Sequence, residues 1–392
     1  MRICLVYDCL FPHTVGGAER WYRSLAERLA ADGHEVTYLT LRQWGRHEEH
    51  GLRGVDVQVV GPRMRLYDAP GHRRVLPPLV FGAGVLWHLL RHGWRYDVVH
   101  SCSFPYFSLL AAALAAPLHD YRIAADWFEV WSRAYWREYL GKRAGDLGWL
   151  VQRMCARVPQ HAFCFSQLYA SRLRQEGLSG EITMLGGAYD GPLEPQQTEL
   201  EPQRMQSCEQ LVVFAGRHIP EKRVPAIVPA IARLRATLPN VRALILGDGP
   251  DREEVQRLVA EYRLSEAIRV PGFAATEVVE QSVARAMCLL LPSRREGYGL
   301  VVVEAAARGV PSVVVAGDDN AAVELISEAV NGFVAASASA EDLAAAMQAV
   351  HDAGAALRES TLRWFAENAR RVSLGRSLEI IVGVYERSAS PR

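Results

Sequence analysis

Lysine is almost absent from this chain: of 44 basic residues, all but Lys142 and Lys222 are arginine. A lysine kept against that background marks a place where a compact, rotatable charge does what a planar guanidinium does not. Net charge is absent too, since 44 basic residues balance 44 acidic ones, and nothing in the composition asks for a nucleic-acid partner. The seven cysteines are odd in number and contain no Cys-x-x-Cys pair. Neither a disulfide framework nor a zinc site is indicated, and a reducing cytoplasm is the simplest address. Long apolar runs are missing as well. Stretches such as Leu109 to Leu118 fall well short of the ~20 residues that span a bilayer. The first run, Ile3 to Tyr7, meets Asp8 before it reaches the length of a signal-peptide core.

At 392 residues the chain exceeds one hydrophobic core and suits two domains. It is filled by short apolar runs alternating with helix-length segments. In the first half, Arg2 to Tyr7, Val36 to Leu41, Asp97 to His100, Ile123 to Ala125, His161 to Ser166 and Ile182 to Leu185 read as strands. Ala18 to Asp32 reads as a helix burying Trp21, Leu25, Ala26 and Leu29, with Gly33 as its stop. Gly191 to Ser207 is rich in Pro, Gln and Glu and reads as a linker. The second half repeats the alternation, with strands at Leu211 to Ala215, Arg242 to Leu246 and Pro311 to Ala316 and helices up to Leu374 to Arg387. The pattern predicts an α/β protein of two Rossmann-like, doubly wound parallel-sheet domains: residues 1–190, a linker over 191–208, a second domain over 209–371 and a final helix within 372–392.

The richest stretch runs from Met287 to Gly309. An apolar strand ends at Pro292, and Glu296, Gly297, Tyr298 and Gly299 form a glycine turn. A helix from Leu300 to Arg308 carries Glu304 in its second turn. Glycine there lets the backbone approach a ligand, and the helix start offers unpaired N–H groups to an anion. A second cluster, Gly216, Arg217 and Lys222, follows the Leu211 strand. Arg217 supplies a planar fork of donors and Lys222 a point charge.

Two glutamates separated by seven residues, with Gly-Tyr-Gly after the first, together with the Gly-Arg, four residues, Lys segment, resemble the retaining glycosyltransferases of family 4, which have the GT-B fold. The resemblance is strong from Leu211 to about Val334, fair at Gly16-Gly17 and from His161 to Asp190, and nearly absent from Arg42 to Arg95. It implies two domains facing a cleft, with the last helix crossing back to the first. It implies a nucleotide-sugar donor, UDP most often, held by Gly16, Gly17, Gly216, Arg217, Lys222, Gly247, Phe273, Glu296, Gly297, Tyr298, Gly299, Leu300 and Glu304. Glu304 takes the ribose and Glu296 the sugar hydroxyls. A hexosyl group passes to an acceptor hydroxyl, the acceptor itself being unidentified, by same-face attack in preference to a covalent intermediate on Glu296. With no Asp-x-Asp pair in the chain, no metal and no other cofactor is expected, and Arg217 and Lys222 carry the cation role.

One departure concerns the first half. Family members place a histidine near the strand end occupied here by Asp126, yet none lies between His119 and His161. Asp126, Glu129 or Phe128 fills that place, with Asp126 the catalytic candidate and Glu19, Asp126 and Glu129 the candidates for acceptor contact. The aromatic residues from Trp127 to Tyr139 suit either a sugar-stacking wall or helical packing. From Arg42 to Arg95, nine arginines face four acids, a pattern read as a solvated basic surface in preference to a face resting on an anionic membrane. Two other readings stand beside transfer: a protein that grips a nucleotide sugar without turnover, and a GT-B phosphorylase or epimerase, the former of which needs a cofactor-bearing lysine that neither Lys142 nor Lys222 resembles.

Overall fold

Short, β-branched, wholly apolar runs bury both faces, so their strands pair in parallel and the helices between them cover the sheet. The computed structural model describes residues 1–387 apart from positions 15, 46, 47, 49, 69–72 and 195–209. It divides into two units, Met1–Leu185 with Leu378–Arg392, and Gly186–Ser377.

The first unit holds β1 (Arg2–Val6), β2 (Glu35–Leu41), β3 (Asp56–Gly61), β4 (Val98–Cys102), β5 (Arg122–Trp127), β6 (Gln160–Cys164) and β7 (Gly180–Met184). They form one parallel sheet in the order β3-β2-β1-β4-β5-β6-β7. Its helices are α1 (Gly17–Ala31), α2 (Leu76–His92), α3 (Phe107–Ala115), α4 (Arg133–Leu140), α5 (Lys142–Ala156) and α6 (Gln167–Gln175). α1 buries the expected Trp21, Leu25, Ala26 and Leu29.

The second unit holds β8 (Leu211–Ala215), β9 (Arg242–Leu246), β10 (Ile268–Gly272), β11 (Cys288–Leu291), β13 (Ser312–Val315) and β15 (Gly332–Ala335), ordered β10-β9-β8-β11-β13-β15. A separate two-stranded piece pairs β12 (Arg295–Glu296) with β14 (Asp319–Asn320). The helices are α7 (Ile227–Leu234), α8 (Arg252–Glu261), α9 (Thr276–Ala284), α10 (Leu300–Ala306), α11 (Ala340–Val372) and the first residues of α12 (Leu374–Arg387). The expected pair of helices within residues 340–370 is present: α11 is two helices meeting at a kink at Gly354, whose φ of 53° is not helical.

The division falls at Leu185/Gly186, five residues before Asp190. Its cause is backbone pairing: Tyr189 N–H donates to Val372 at 3.1 Å, and Leu374 N–H donates back to Tyr189 at 2.8 Å, which ties the 186–190 turn to the end of α11. The last helix does return to the first unit, where Leu378, Ile381, Val384 and Tyr385 are buried along one face. Most of the expected linker, 195–208, lies outside the described residues.

Candidate active site

In the second unit, β8 has β9 on one side and β11 on the other, so the chain leaves the two neighbouring strands β8 and β11 in opposite directions. A crevice opens at the carboxyl ends of such a pair. The two segments singled out in the sequence are the loops that follow these two strands.

From β8 the chain runs through Gly216 and Arg217 into a tight turn, Pro220–Lys222, closed by Arg223 at φ 49°. From β11 it runs through Ser293 to β12. Contacts stitch the loops together: Arg294 N–H donates to the Glu221 carbonyl at 2.8 Å, and Arg295 Nη2 lies 3.5 Å from Glu221 Oε1. At the seam, Lys222 Nζ donates to Glu296 Oε1 at 2.5 Å across 74 residues of sequence. Ser293 Oγ donates to the same oxygen at 2.8 Å. Glu296 is buried, its side chain 10% exposed and that of Lys222 20%. Neither motif by itself announces this ion pair; they converge because β8 and β11 are neighbours. Asn320 braces the spot from β14, donating to the carbonyls of Ser293 at 3.2 Å and Val315 at 2.8 Å.

The remaining donor candidates lie around it. Gly247, at φ +122°, passes so close to the Gly216 carbonyl that a β-carbon would sit 1.8 Å from it, which explains glycine there by packing. Gly299 has φ +98° and starts α10 in the left-handed region; a β-carbon would come within 2.8 Å of the Ala322 Cβ. α10 ends at Ala306, two residues before the expected Arg308, and Arg308 folds back to donate to the Glu304 carbonyl at 2.7 Å. Glu304, Gly297 and Leu300 are half-buried, while Arg217 and Phe273 are exposed. The Tyr298 side chain, expected at the donor, has a partner within its own unit. Its hydroxyl donates to the Gly186 carbonyl at 2.8 Å, and burial raises its pKa, so this side chain anchors the 186–190 turn.

Sequence reasoning passed over His218, which follows Arg217. It is fully buried, neither ring nitrogen has a hydrogen-bond partner among the described residues, and burial lowers its pKa while Asp248 pulls the other way. An imidazole in that setting stays neutral.

The first unit gives a different account of its candidates. Asp126 is the expected catalytic carboxylate, yet it lies inside β5 and is fully buried. Its Oδ2 accepts from Trp21 Nε1 at 2.7 Å, and its Oδ1 lies 3.0 Å from His100 Nε2. His100 Nδ1 in turn meets the Tyr385 hydroxyl at 2.5 Å. This buried chain links α1, two strands and the returning α12, and it encloses Asp126, the residue expected as catalytic and as an acceptor contact. Its histidine partner stands on the adjacent strand, where no local spacing reveals it.

Glu19, expected as an acceptor contact, is only 6% exposed and turns back on the loop, where a β-carbon on Gly16 would lie 2.3 Å from its Oε2. A larger residue at Gly16 would displace only the Glu19 carboxylate, and Gly17 has open space. Glu129 accepts from Trp131 Nε1 at 2.7 Å. The aromatic stretch resolves as packing: the Gln152 Oε1 acceptor binds Trp131 N, Trp136 Nε1 and the Tyr106 hydroxyl, and the Trp131 and Trp136 rings lie 4.6 Å apart. A second residue that sequence reasoning missed is Arg73, ion-paired with the fully buried Asp8 just past β1 and lying over the Phe104 ring. Among the described residues, no three His, Cys, Asp or Glu side chains converge in a way that could hold a metal.

Comparison with known proteins supplies what geometry leaves open. Residues 15–190 match the family described as Glycosyltransferase Family 4, and residues 196–372 match Glycosyl transferases group 1. Glycogen synthase of Mycobacterium tuberculosis is 27% identical over 91% of this chain and 87% of its own. The alpha-D-kanosaminyltransferase of Streptomyces kanamyceticus is 27% identical over half of each chain. Among solved structures, sucrose-phosphate synthase from Thermosynechococcus elongatus aligns with a TM-score of 0.80 at 18% identity, covering 99% of this chain and 100% of that one. Anabaena HepE, solved with UDP, aligns at 0.74 and 18%, with 99% and 100% covered. These structural neighbours have the GT-B fold.

Proposed function

On the premise that this chain is a glycosyltransferase of the GT-B fold, built from a family 4 half and a group 1 half, we propose that it transfers a hexosyl group from a nucleoside diphosphate sugar to an acceptor hydroxyl with retention of configuration. The observation that carries the proposal is the Lys222–Glu296 pair on the two loops that bracket the β8/β11 crevice. It sets a cation and a hydroxyl-binding carboxylate at one point, as a sugar diphosphate requires.

Each role follows from chemistry. The leaving diphosphate gains charge as the glycosidic bond breaks, so a fixed ammonium stabilises the transition state more than the ground state. Lys222 serves the diphosphate with Arg217, and no divalent metal is needed. Glu296 holds sugar hydroxyls with the backbone from Gly297 to Leu300, and Glu304 holds the ribose. In same-face attack the acceptor oxygen bonds to the anomeric carbon, the carbon–phosphate-oxygen bond breaks, and the acceptor's proton passes to the leaving phosphate. That route asks for no protein base, which agrees with the burial of Asp126. UDP is the favoured nucleotide because a structural neighbour was solved with UDP-glucose.

The test is incubation with labelled UDP-, GDP- and dTDP-sugars, with and without EDTA, and NMR of the product anomer. Turnover of one donor with retention and no effect of EDTA is expected. Tight binding without turnover would leave a nucleotide-sugar-binding protein, and azide rescue of Glu296→Gln with an inverted product would restore the covalent route.

A further inference from the structure

Helix α2 is apolar on both sides. Its inner face buries Pro77, Pro78, Phe81, Val85 and Leu89. Its outer face carries Leu76, Leu79, Trp87 and Leu90 at helical spacing and continues into Trp94, all exposed, with Trp87 at 60% and Trp94 at 63%. A soluble surface helix pairs one apolar stripe with a polar one, so this second stripe is unexplained by folding.

The stripe is widened by the neighbouring helix. A β-carbon on Gly82 would touch Phe107, and one on Gly93 would touch His119, so α2 and the α3 segment run side by side in register. That register brings Leu114 and Leu118, each 68% exposed, beside the Leu90 to Trp94 end. From Leu76 to Tyr96 the charged side chains besides histidine are Arg91 and Arg95, and from Ser103 to His119 there is none besides histidine. The Arg91 guanidinium lies 3.9 Å over the Trp87 ring, and that of Arg95 lies 5.3 Å over Trp94.

We infer that the outer face of α2 and α3 docks the protein on an anionic lipid bilayer. Exposed tryptophan and leucine insert at the level of the headgroups, while arginines at their rim bind lipid phosphates. The guanidiniums of Arg91 and Arg95 argue for this occupant, because each sits against an exposed tryptophan, pairing a cation for headgroup phosphates with a ring that settles at headgroup level. No helix of the described residues is long and apolar enough to cross a membrane, so the contact is peripheral. The basic stretch read from sequence as a solvated surface is therefore assigned a ligand, and the inference does not depend on the transferase reading.

The experiment is cosedimentation of the full chain with phosphatidylcholine vesicles, with or without phosphatidylglycerol, over a salt series. Binding to the anionic vesicles, weakened by salt and accompanied by a blue shift of tryptophan emission, is expected. Replacing Arg91 and Arg95 together by Gln lowers partitioning by roughly 25-fold, at about fivefold per arginine. The pair Trp87→Ser and Trp94→Ser lowers it at least roughly tenfold. Thermal melts of both variants match the parent, since these side chains are exposed. Absence of binding at low salt would overturn the inference, as would binding unchanged in the tryptophan variant. So would a self-association that Trp87→Ser abolishes while vesicles are ignored, which would give the face to a protein contact.

Discussion

Replacing Lys222 by Met keeps the length of the side chain and removes its charge. In the folded protein this leaves the Glu296 carboxylate, buried within the loop seam, with the Ser293 hydroxyl but without its cation. Orphaning a buried charged group costs about 1–3 kcal/mol, which in a unit of this size lowers Tm by roughly 2–12 °C. Changing Glu296 to Gln as well removes the orphaned charge, so the double variant recovers about 1 kcal/mol or more over the sum of the single losses. Catalysis responds separately. Loss of one fixed cation at the leaving group costs about 2.7–4 kcal/mol, a fall of roughly 10²–10³ in kcat. Thermal unfolding of all four members of the cycle measures the coupling, and steady-state kinetics on the donor selected by the panel measures the role. Stabilities additive within about 0.5 kcal/mol would refute the ion pair. A raised KM with unchanged kcat would refute transition-state stabilisation by Lys222.

Three further outcomes follow from the same geometry. Gly299→Ala meets both a left-handed φ of +98° and a 2.8 Å contact with Ala322, so it destabilises the second unit by about 1–3 kcal/mol in a thermal melt. Tyr385→Phe strips the hydroxyl from His100 and costs about 1–3 kcal/mol; hydrogen exchange speeds up in α12 before the rest of the first unit. His88 is pushed down to about 4 by burial and by neighbouring His92, and its ring meets the Tyr96 hydroxyl at 2.7 Å. The unfolded chain then binds more protons than the folded one between pH ~6.5 and that value, so stability present above ~6.5 is lost as pH falls through the window. His88→Gln flattens that part of the Tm-against-pH curve.

How much of this was legible beforehand differs between the halves. In the second unit, apolar strand runs, glycine punctuation and the spacing of Glu296 and Glu304 are local signals, and β8 and β9 fall where the pattern predicts them, as does α12, most of which belongs to the first unit. α5 and the β12/β14 pair were not read: α5 carries three glycines or charges in its first turn, and the two-residue strands exist only because their partner is nearby. In the first half the candidates chosen by place in the chain, Asp126 and Glu19, are buried, which was not legible because a carboxylate at a strand end or in a helix's first turn looks the same in sequence whether it faces solvent or the interior.

The sequence alone determined the alternation that makes two parallel sheets, the sites of the glycine turns and the two motifs to which the proposed donor chemistry is assigned. All of these depend on periods and spacings within a few turns of chain. Only the tertiary structure decided which distant groups meet: Lys222 with Glu296, Asp126 with His100 and Tyr385, and the unpartnered outer face of α2. Strand order and burial set those meetings, and neither is written in any local stretch of residues.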